Sequence, residues 1–187
     1  MKKFLAALAL LAVAAAATPS DAPAAGLKAA EGGVILTVGG SVANANRPPF
    51  DAARDGFLKH HDRKFEKAAE FDLSMLEGLG MHTATVSHRN LPGEIAFSGP
   101  RLADVLKAAG WDGTLITTLA LDGYGTKIDR ATLGKYDWIL ATRANGRPLG
   151  LGAKGPLWLV FDPPGDRVAT DEEEGMWPWA LFYIQAD

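Results

Sequence analysis

Short apolar runs separated by glycine, proline and polar turns make up most of the hydrophobic pattern of this chain. The β-branched and aliphatic runs predict strands, which lie at 34–38, 83–87, 94–97, 115–121, 126–128, 138–143, 157–161 and 181–184. Turn-forming residues separate several of them, as at 90–93 and 144–148. Strands joined by turns favour antiparallel or mixed pairing over repeated strand–helix–strand units.

Helical spacing is clear in one segment and weaker in two others. Residues 100–110 carry apolar side chains three and four positions apart, with proline in the first turn and glycine at the end. Asp72 is placed to cap a short helix over 73–79, and the uneven spacing of 57–71 also allows a helix. The polar, acidic stretch 162–175 predicts a loop. The whole pattern therefore predicts the α+β class, a single mixed β domain with a few short helices.

The first residues of the chain have a different character. Two lysines precede an apolar run over 4–13, and small residues follow it. This order predicts a secretory signal peptide over 1–17, because the apolar run is too short for a stable membrane anchor. Residues 18–32, rich in alanine, proline and glycine, predict a disordered leader, which leaves 33–187 as the domain. We expect a periplasmic protein that is not embedded in the membrane.

Composition narrows the chemistry. The 187 residues include 19 Lys plus Arg, 22 Asp plus Glu and no cysteine. The net charge of −3 argues against nucleic acid as a partner. Without cysteine there is no disulfide, thiolate metal site or cysteine nucleophile. The adjacent histidines 60 and 61 point to different faces of a helix, and the acidic run 171–174 lacks calcium-loop spacing, so no metal ligand is predicted.

Four residues are candidates for binding a ligand. Asp122 lies where a strand ends, and its carboxylate can accept the two parallel N–H bonds of an aminopyrimidine edge; the alternative is a turn aspartate that bonds its own backbone. Trp158 and Trp177 can hold a flat heterocycle or fill the core. Lys154 can contact an anion, although its loop 150–155 precedes a strand and not the helix of a dinucleotide site.

Six stretches of the chain occur in an order that is typical of one known family. They lie at 34–40, 71–77, 97–106, 120–124, 139–149 (continuing to 154–160) and 179–186. In this order they resemble the sulfite-oxidase-type molybdopterin-binding domain, in its short exported subfamily of molybdopterin-dependent oxidoreductases. The resemblance covers residues 33–186 and implies that fold.

The resemblance also identifies a departure from the family. Its enzymes supply a thiolate to molybdenum from a cysteine at the end of an early strand, and Ser87 stands at that position here. Loss of the thiolate removes the soft donor of the redox site. Tyr124 matches an active-site tyrosine of the enzymes. Exported relatives without the cysteine are similar to periplasmic regulators that bind a metal-free pterin and report it to a membrane-bound cyclic-dinucleotide enzyme.

The resemblance therefore implies a pterin-binding sensor or regulatory module that is not an enzyme. In it, Asp122 holds the aminopyrimidinone edge and Trp158 or Trp177 stacks on the ring. Other contacts to the ring or its tail come from Tyr124, Arg143, Arg89, Ser87, His88 and Lys154. The implied partners are the small pterin itself and the periplasmic part of a membrane signalling protein.

Two other functions stay open at this point. The first is a periplasmic oxidoreductase that uses molybdopterin, with Ser87 or no protein ligand on the metal. The second is a protein that keeps the fold only for its surface, and it predicts a filled cavity.

Overall fold

The computed structural model describes residues 26–87, 93–165 and 167–187. Its strands are β1 Val34–Gly40, β2 Ala68–Asp72, β3 His82–Ser87, β4 Glu94–Gly99, β5 Leu115–Ala120, β6 Lys127–Asp129, β7 Ile139–Ala141, β8 Arg143–Ala144, β9 Arg147–Pro148, β10 Leu157–Val160 and β11 Trp179–Ala186. Its helices are α1 Gly56–His60, α2 Leu73–Gly78, α3 Leu102–Ala108, α4 Arg130–Lys135 and α5 Asp171–Gly175. The signal peptide predicted over 1–17 lies outside these residues, as do 18–25 of the predicted leader.

Two sheets organise the domain. The larger sheet has seven strands, with the order β2-β1-β11-β10-β7 and with β5 pairing β11 and β6. The smaller sheet has the order β3-β4-β8-β9. Within the described residues, β1 with β11 is the parallel strand pair, and the other strand pairs are antiparallel. The prediction of a mixed, sheet-dominated α+β domain with a few short helices is confirmed.

Local signals set several element boundaries as the sequence indicated. The Asp72 carboxylate accepts the Met75 N–H at 2.8 Å and so caps α2. Gly110, with φ of +72°, follows the end of α3 in the left-handed region that glycine adopts without strain. Asn145 and Gly146 form the tight turn between β8 and β9, both with positive φ.

Three segments differ from the sequence-based prediction. The helix allowed over 57–71 is present only as α1, and the last four residues of this range belong to β2, which pairs antiparallel with β1. The predicted strand 138–143 divides into β7 and β8, which belong to different sheets. The acidic loop over 162–175 contains α5. Contacts with distant residues decide the first two, because strand pairing overrides weak local helix propensity.

Two helices were not predicted, although each begins at a recognisable cap. Asp129 accepts the Thr132 N–H at 2.7 Å at the start of α4. Thr170 and Glu173 form a reciprocal capping box at the start of α5. The capping residues of both helices can be recognised in the sequence. Each helix, however, spans less than two turns and shows too little apolar periodicity to be predicted.

The described part of the predicted leader contacts the domain. The Glu31 and Gly32 N–H groups donate to the Asp72 carboxylate at 2.9 and 2.8 Å. The pKa of Asp72 lies well below its ordinary range, chiefly because the Met75 and Gly32 N–H groups donate to it. Among the residues that the structure describes, no helix has the length and apolar character needed to cross a membrane.

Candidate functional site

Ser87 lies on the wall of a polar cavity of about 380 Å³, which we call the Ser87 cavity. The end of β3 forms one side, and Glu94 of β4 is the direct cross-strand partner of Ser87. The segment that follows β10 forms the other side and contributes Asp162 and Arg167. Two strand ends and one loop therefore converge here, which is a common position for a binding site.

The described lining of the Ser87 cavity is rich in hydrogen-bond acceptors. Glu94 and Asp162 supply two carboxylates, and Ser87 supplies a hydroxyl. Arg167 is the cation of this lining, but its guanidinium already donates to both oxygens of Glu173, at 2.7 and 2.6 Å. The negative charge of the two carboxylates therefore favours a ligand that presents N–H donors over one that carries a phosphate.

The wall at Arg167 is fixed by the cluster around Glu173. This carboxylate is buried, and beside Arg167 it accepts from the Tyr136 hydroxyl at 2.9 Å and from the Thr170 N–H at 3.0 Å. The two hydrogen bonds from Arg167 hold the pKa of Glu173 well below its ordinary range and outweigh the opposing effect of burial. Glu173 therefore stays ionised and keeps residues 167–170 in place.

The Glu173 cluster predicts a measurable acid sensitivity. A carboxyl whose pKa is lowered by folding contributes stability above its unfolded pKa, about 4.3 for glutamate, and loses it as the pH falls below that value. We expect the melting temperature of Glu173→Gln to lie below that of the parent at pH 7 and to approach it by pH 3. Thermal melts between pH 7 and pH 3 test this. A constant difference between the two proteins across this range would contradict it.

Asp122 and Tyr124 lie in an exposed turn after β5. The Asp122 carboxylate accepts the Tyr124 N–H at 2.9 Å, which is the turn geometry named as the alternative for this residue. The Tyr124 hydroxyl donates to the Gly175 carbonyl at the end of α5. Neither residue lines the Ser87 cavity.

Trp158 and Trp177 belong to the core. Each is 2% exposed, and the Trp158 indole N–H donates to the Trp177 carbonyl at 3.1 Å. Trp158 meets Phe97 edge to face with ring centroids 4.9 Å apart, and Trp177 meets Phe161 at 5.2 Å. Both rings therefore pack against other side chains in this structure and do not line the Ser87 cavity.

The remaining predicted site residues are dispersed. Arg143 donates two hydrogen bonds to Glu77, at 2.8 and 3.0 Å, and so links β8 to α2. Lys154 places its ammonium group over the rings of Trp158 and Trp179, 5.3 and 4.6 Å from their centroids. His88 and Arg89 lie outside the described residues.

Of the described candidates, only Ser87 lines this cavity. Sequence reasoning missed Glu94, Asp162 and Arg167. One signal could have found Asp162, because it comes two positions after the last residue of a buried strand, as Asp122 does. Glu94 becomes recognisable only once the register of β3 with β4 is known.

Metal ligands do not cluster in the part of the chain that the structure describes, where no group of three or more histidine, aspartate or glutamate side chains could hold an ion. No family model matches the chain, and the search of curated proteins found no match.

Proposed function

We propose that this protein is a periplasmic pterin-binding sensor or regulatory module of the sulfite-oxidase-type fold, and that a metal-free reduced pterin binds in the Ser87 cavity. One observation carries the proposal. Ser87, which stands where the enzymes of that family have the metal-binding cysteine, lines a cavity whose other described polar groups include two carboxylates. The alternative in which the protein keeps the fold only for its surface predicts a filled cavity, and the open Ser87 cavity argues against it.

The chemistry of the cavity suits the pterin ring. Its volume of about 380 Å³ lies within the range of small-molecule sites. The aminopyrimidinone edge of a pterin presents adjacent N–H donors, and a carboxylate accepts two such bonds in parallel. We assign this role to Asp162 or Glu94 in place of Asp122, because Asp122 bonds the backbone of its own turn outside the cavity.

Molybdopterin fits the same cavity less well. It carries a phosphate in addition to the pterin ring, and Arg167, the cation of the described lining, is already paired with Glu173. A serine hydroxyl also lacks the soft sulfur donor that suits molybdenum in this family. When bound, molybdopterin would supply redox chemistry. The proposed function involves no redox chemistry, and in it the residues of the chain bind and orient an organic ring.

Anaerobic isothermal titration with tetrahydrobiopterin tests the proposal. We expect micromolar binding by the metal-free protein. Asp162→Asn or Glu94→Gln is expected to weaken binding by about 1–3 kcal/mol, from loss of a charged hydrogen-bond acceptor. The matched control is Asp122→Asn, which removes an equivalent charge from an exposed turn and is expected to leave the affinity unchanged.

Three outcomes would contradict the proposal. Absence of micromolar binding would end the pterin-binding function. A loss of affinity in Asp122→Asn alone would move the site to the turn after β5. Stoichiometric molybdenum, measured by elemental analysis of protein exported from a host that makes molybdopterin, would favour the oxidoreductase. The implied signalling partner, the periplasmic part of a membrane protein, belongs to the same proposal.

A further inference from the structure

A second cavity, of about 520 Å³, lies between α3 and α4, and we call it the helix cavity. It shares no lining residue with the Ser87 cavity. Its volume is within the range of sites for small molecules. None of the residues singled out from the sequence as candidates for binding lines it, so its chemistry is independent of the proposed function.

Three aromatic side chains line the helix cavity: Trp111, Tyr136 and Trp138. The polar atoms of the two indoles are already used, because Trp111 donates to the Asp187 carbonyl at 3.2 Å and Trp138 to the Thr132 carbonyl at 3.3 Å. These two side chains therefore present mainly ring carbon to the cavity, although the Arg130 guanidinium lies over the Trp111 ring, 5.1 Å from its centroid. Such a lining favours a flat apolar body, since aromatic pairs gain energy beyond the area that they bury.

The aromatic lining is held in place from behind. Tyr136 stacks on Phe161 with ring centroids 3.8 Å apart and an interplanar angle of 12°. It also meets Trp138 edge to face at 5.8 Å, and its hydroxyl donates to Glu173. A lining whose side chains are already fixed by packing loses little conformational entropy when a ligand binds.

The edge of the helix cavity carries an excess of positive charge. Arg101 pairs with Asp137 through two hydrogen bonds, and Arg130 pairs with Asp112 at 2.9 Å. These two ion pairs balance. Lys107 is the third cation of the lining, and within the described part of the chain no carboxylate forms an ion pair with it. The unbalanced charge is complementary to one anionic group.

We propose that the helix cavity binds an aromatic monocarboxylate, with the ring against Trp111, Tyr136 and Trp138 and the carboxylate on Lys107. The aromatic lining selects the flat ring. The single unpaired ammonium selects one negative charge, since the two arginines keep their own aspartates.

Gly134 offers a way to block the helix cavity without harming the fold. It lies on α4 in the cavity lining, and a Cβ added there meets no atom within 4 Å. Gly134→Leu therefore places a side chain in open space at the cavity and adds a good helix former. The matched control is Gly78→Leu on α2, where a Cβ also meets nothing and which is absent from this lining.

Isothermal titration with 2-naphthoate tests the proposal. We expect saturable binding to the parent protein, loss of at least about tenfold in affinity in Gly134→Leu because the leucine occupies the space of the ring, and unchanged affinity in Gly78→Leu. Binding is also expected to persist when tetrahydrobiopterin is present in saturating amounts. Absence of saturable binding, parent-like affinity in Gly134→Leu, or displacement by the pterin would overturn it.

A second pair of titrations tests whether Lys107 binds the carboxylate of the ligand. Lys107→Gln is expected to weaken 2-naphthoate by about two- to fivefold, the range of an exposed ion pair, and to leave the uncharged 2-naphthylmethanol unaffected. An equal loss for both compounds, or no loss for 2-naphthoate, would contradict the assignment of the carboxylate to Lys107. These results do not depend on whether a pterin binds beside Ser87.

Discussion

Replacement of Trp158 by alanine is expected to lower the free energy of unfolding by about 3–5 kcal/mol, the range for truncation of a fully buried aromatic side chain. The ring is 2% exposed and packs edge to face on Phe97. Its indole N–H donates to the Trp177 carbonyl, so truncation also removes the donor to a buried acceptor. Urea or guanidinium unfolding, followed by circular dichroism, measures the change.

Trp179 provides the control for Trp158. It lies on the neighbouring strand and is 37% exposed, so Trp179→Ala is expected to cost clearly less than Trp158→Ala. Trp158→Phe, which keeps an aromatic ring in the core, supplies a folded variant for titration with tetrahydrobiopterin. We expect its affinity to equal that of the parent. Equal stability losses in the two alanine variants would contradict the core role of Trp158.

Asp55→Asn is expected to lower the free energy of unfolding by about 3 kcal/mol, because it removes the negative charge of a buried carboxylate that accepts from two arginines. The side chain of Asp55 is 1% exposed. It accepts from Arg47 at 2.6 Å, from Arg54 at 2.8 Å and from the Asp51 N–H at 2.9 Å. The hydrogen bonds from Arg54 contribute most to holding the pKa of this carboxyl well below its ordinary range.

Asp112→Asn is the control for Asp55→Asn. Asp112 also pairs with an arginine, Arg130, but its side chain is 95% exposed, so its removal is expected to cost less than about 1 kcal/mol. Denaturant unfolding of both variants at pH 7 compares the two. The prediction is wrong if the two substitutions lower stability by the same amount.

The candidate site depended on tertiary contacts more than the fold did. Ser87 was singled out by the resemblance to the sulfite-oxidase-type domain, which implies that it stands at the cysteine position at the end of an early strand, and β3 does end there. Asp122 and Asp162 carry the same signal, a carboxylate after a buried strand, and the sequence offered no reason to prefer one of them. The structure separates the two, because only Asp162 shares a cavity with Ser87.

The tryptophans show why burial was hard to foresee. Trp177 and Trp179 are separated only by a proline, and the sequence alone does not indicate which of the two rings is buried. In the structure Trp177 is buried and Trp179 is the more exposed ring, with the Lys154 ammonium group over it. Trp177 precedes β11 and Trp179 is its first residue, so the alternation of faces along a strand does not distinguish the two rings. Trp177 is the ring that packs on Phe161, a residue far from it in sequence.

The sequence by itself determined the class of the fold and most of its local boundaries. These boundaries depend on residues close together in the chain, such as the Asp72 cap, the tight turn at Asn145 and Gly146, and the short β-branched runs. Because only a few neighbouring residues stabilise each of them, they can be predicted from the local sequence. The tertiary structure alone decided that β2 is a strand, that Glu94 and Asp162 line one cavity with Ser87, and that aromatic rings line a cavity between α3 and α4. These features arise from pairing and packing between residues far apart in sequence, which local propensity does not specify.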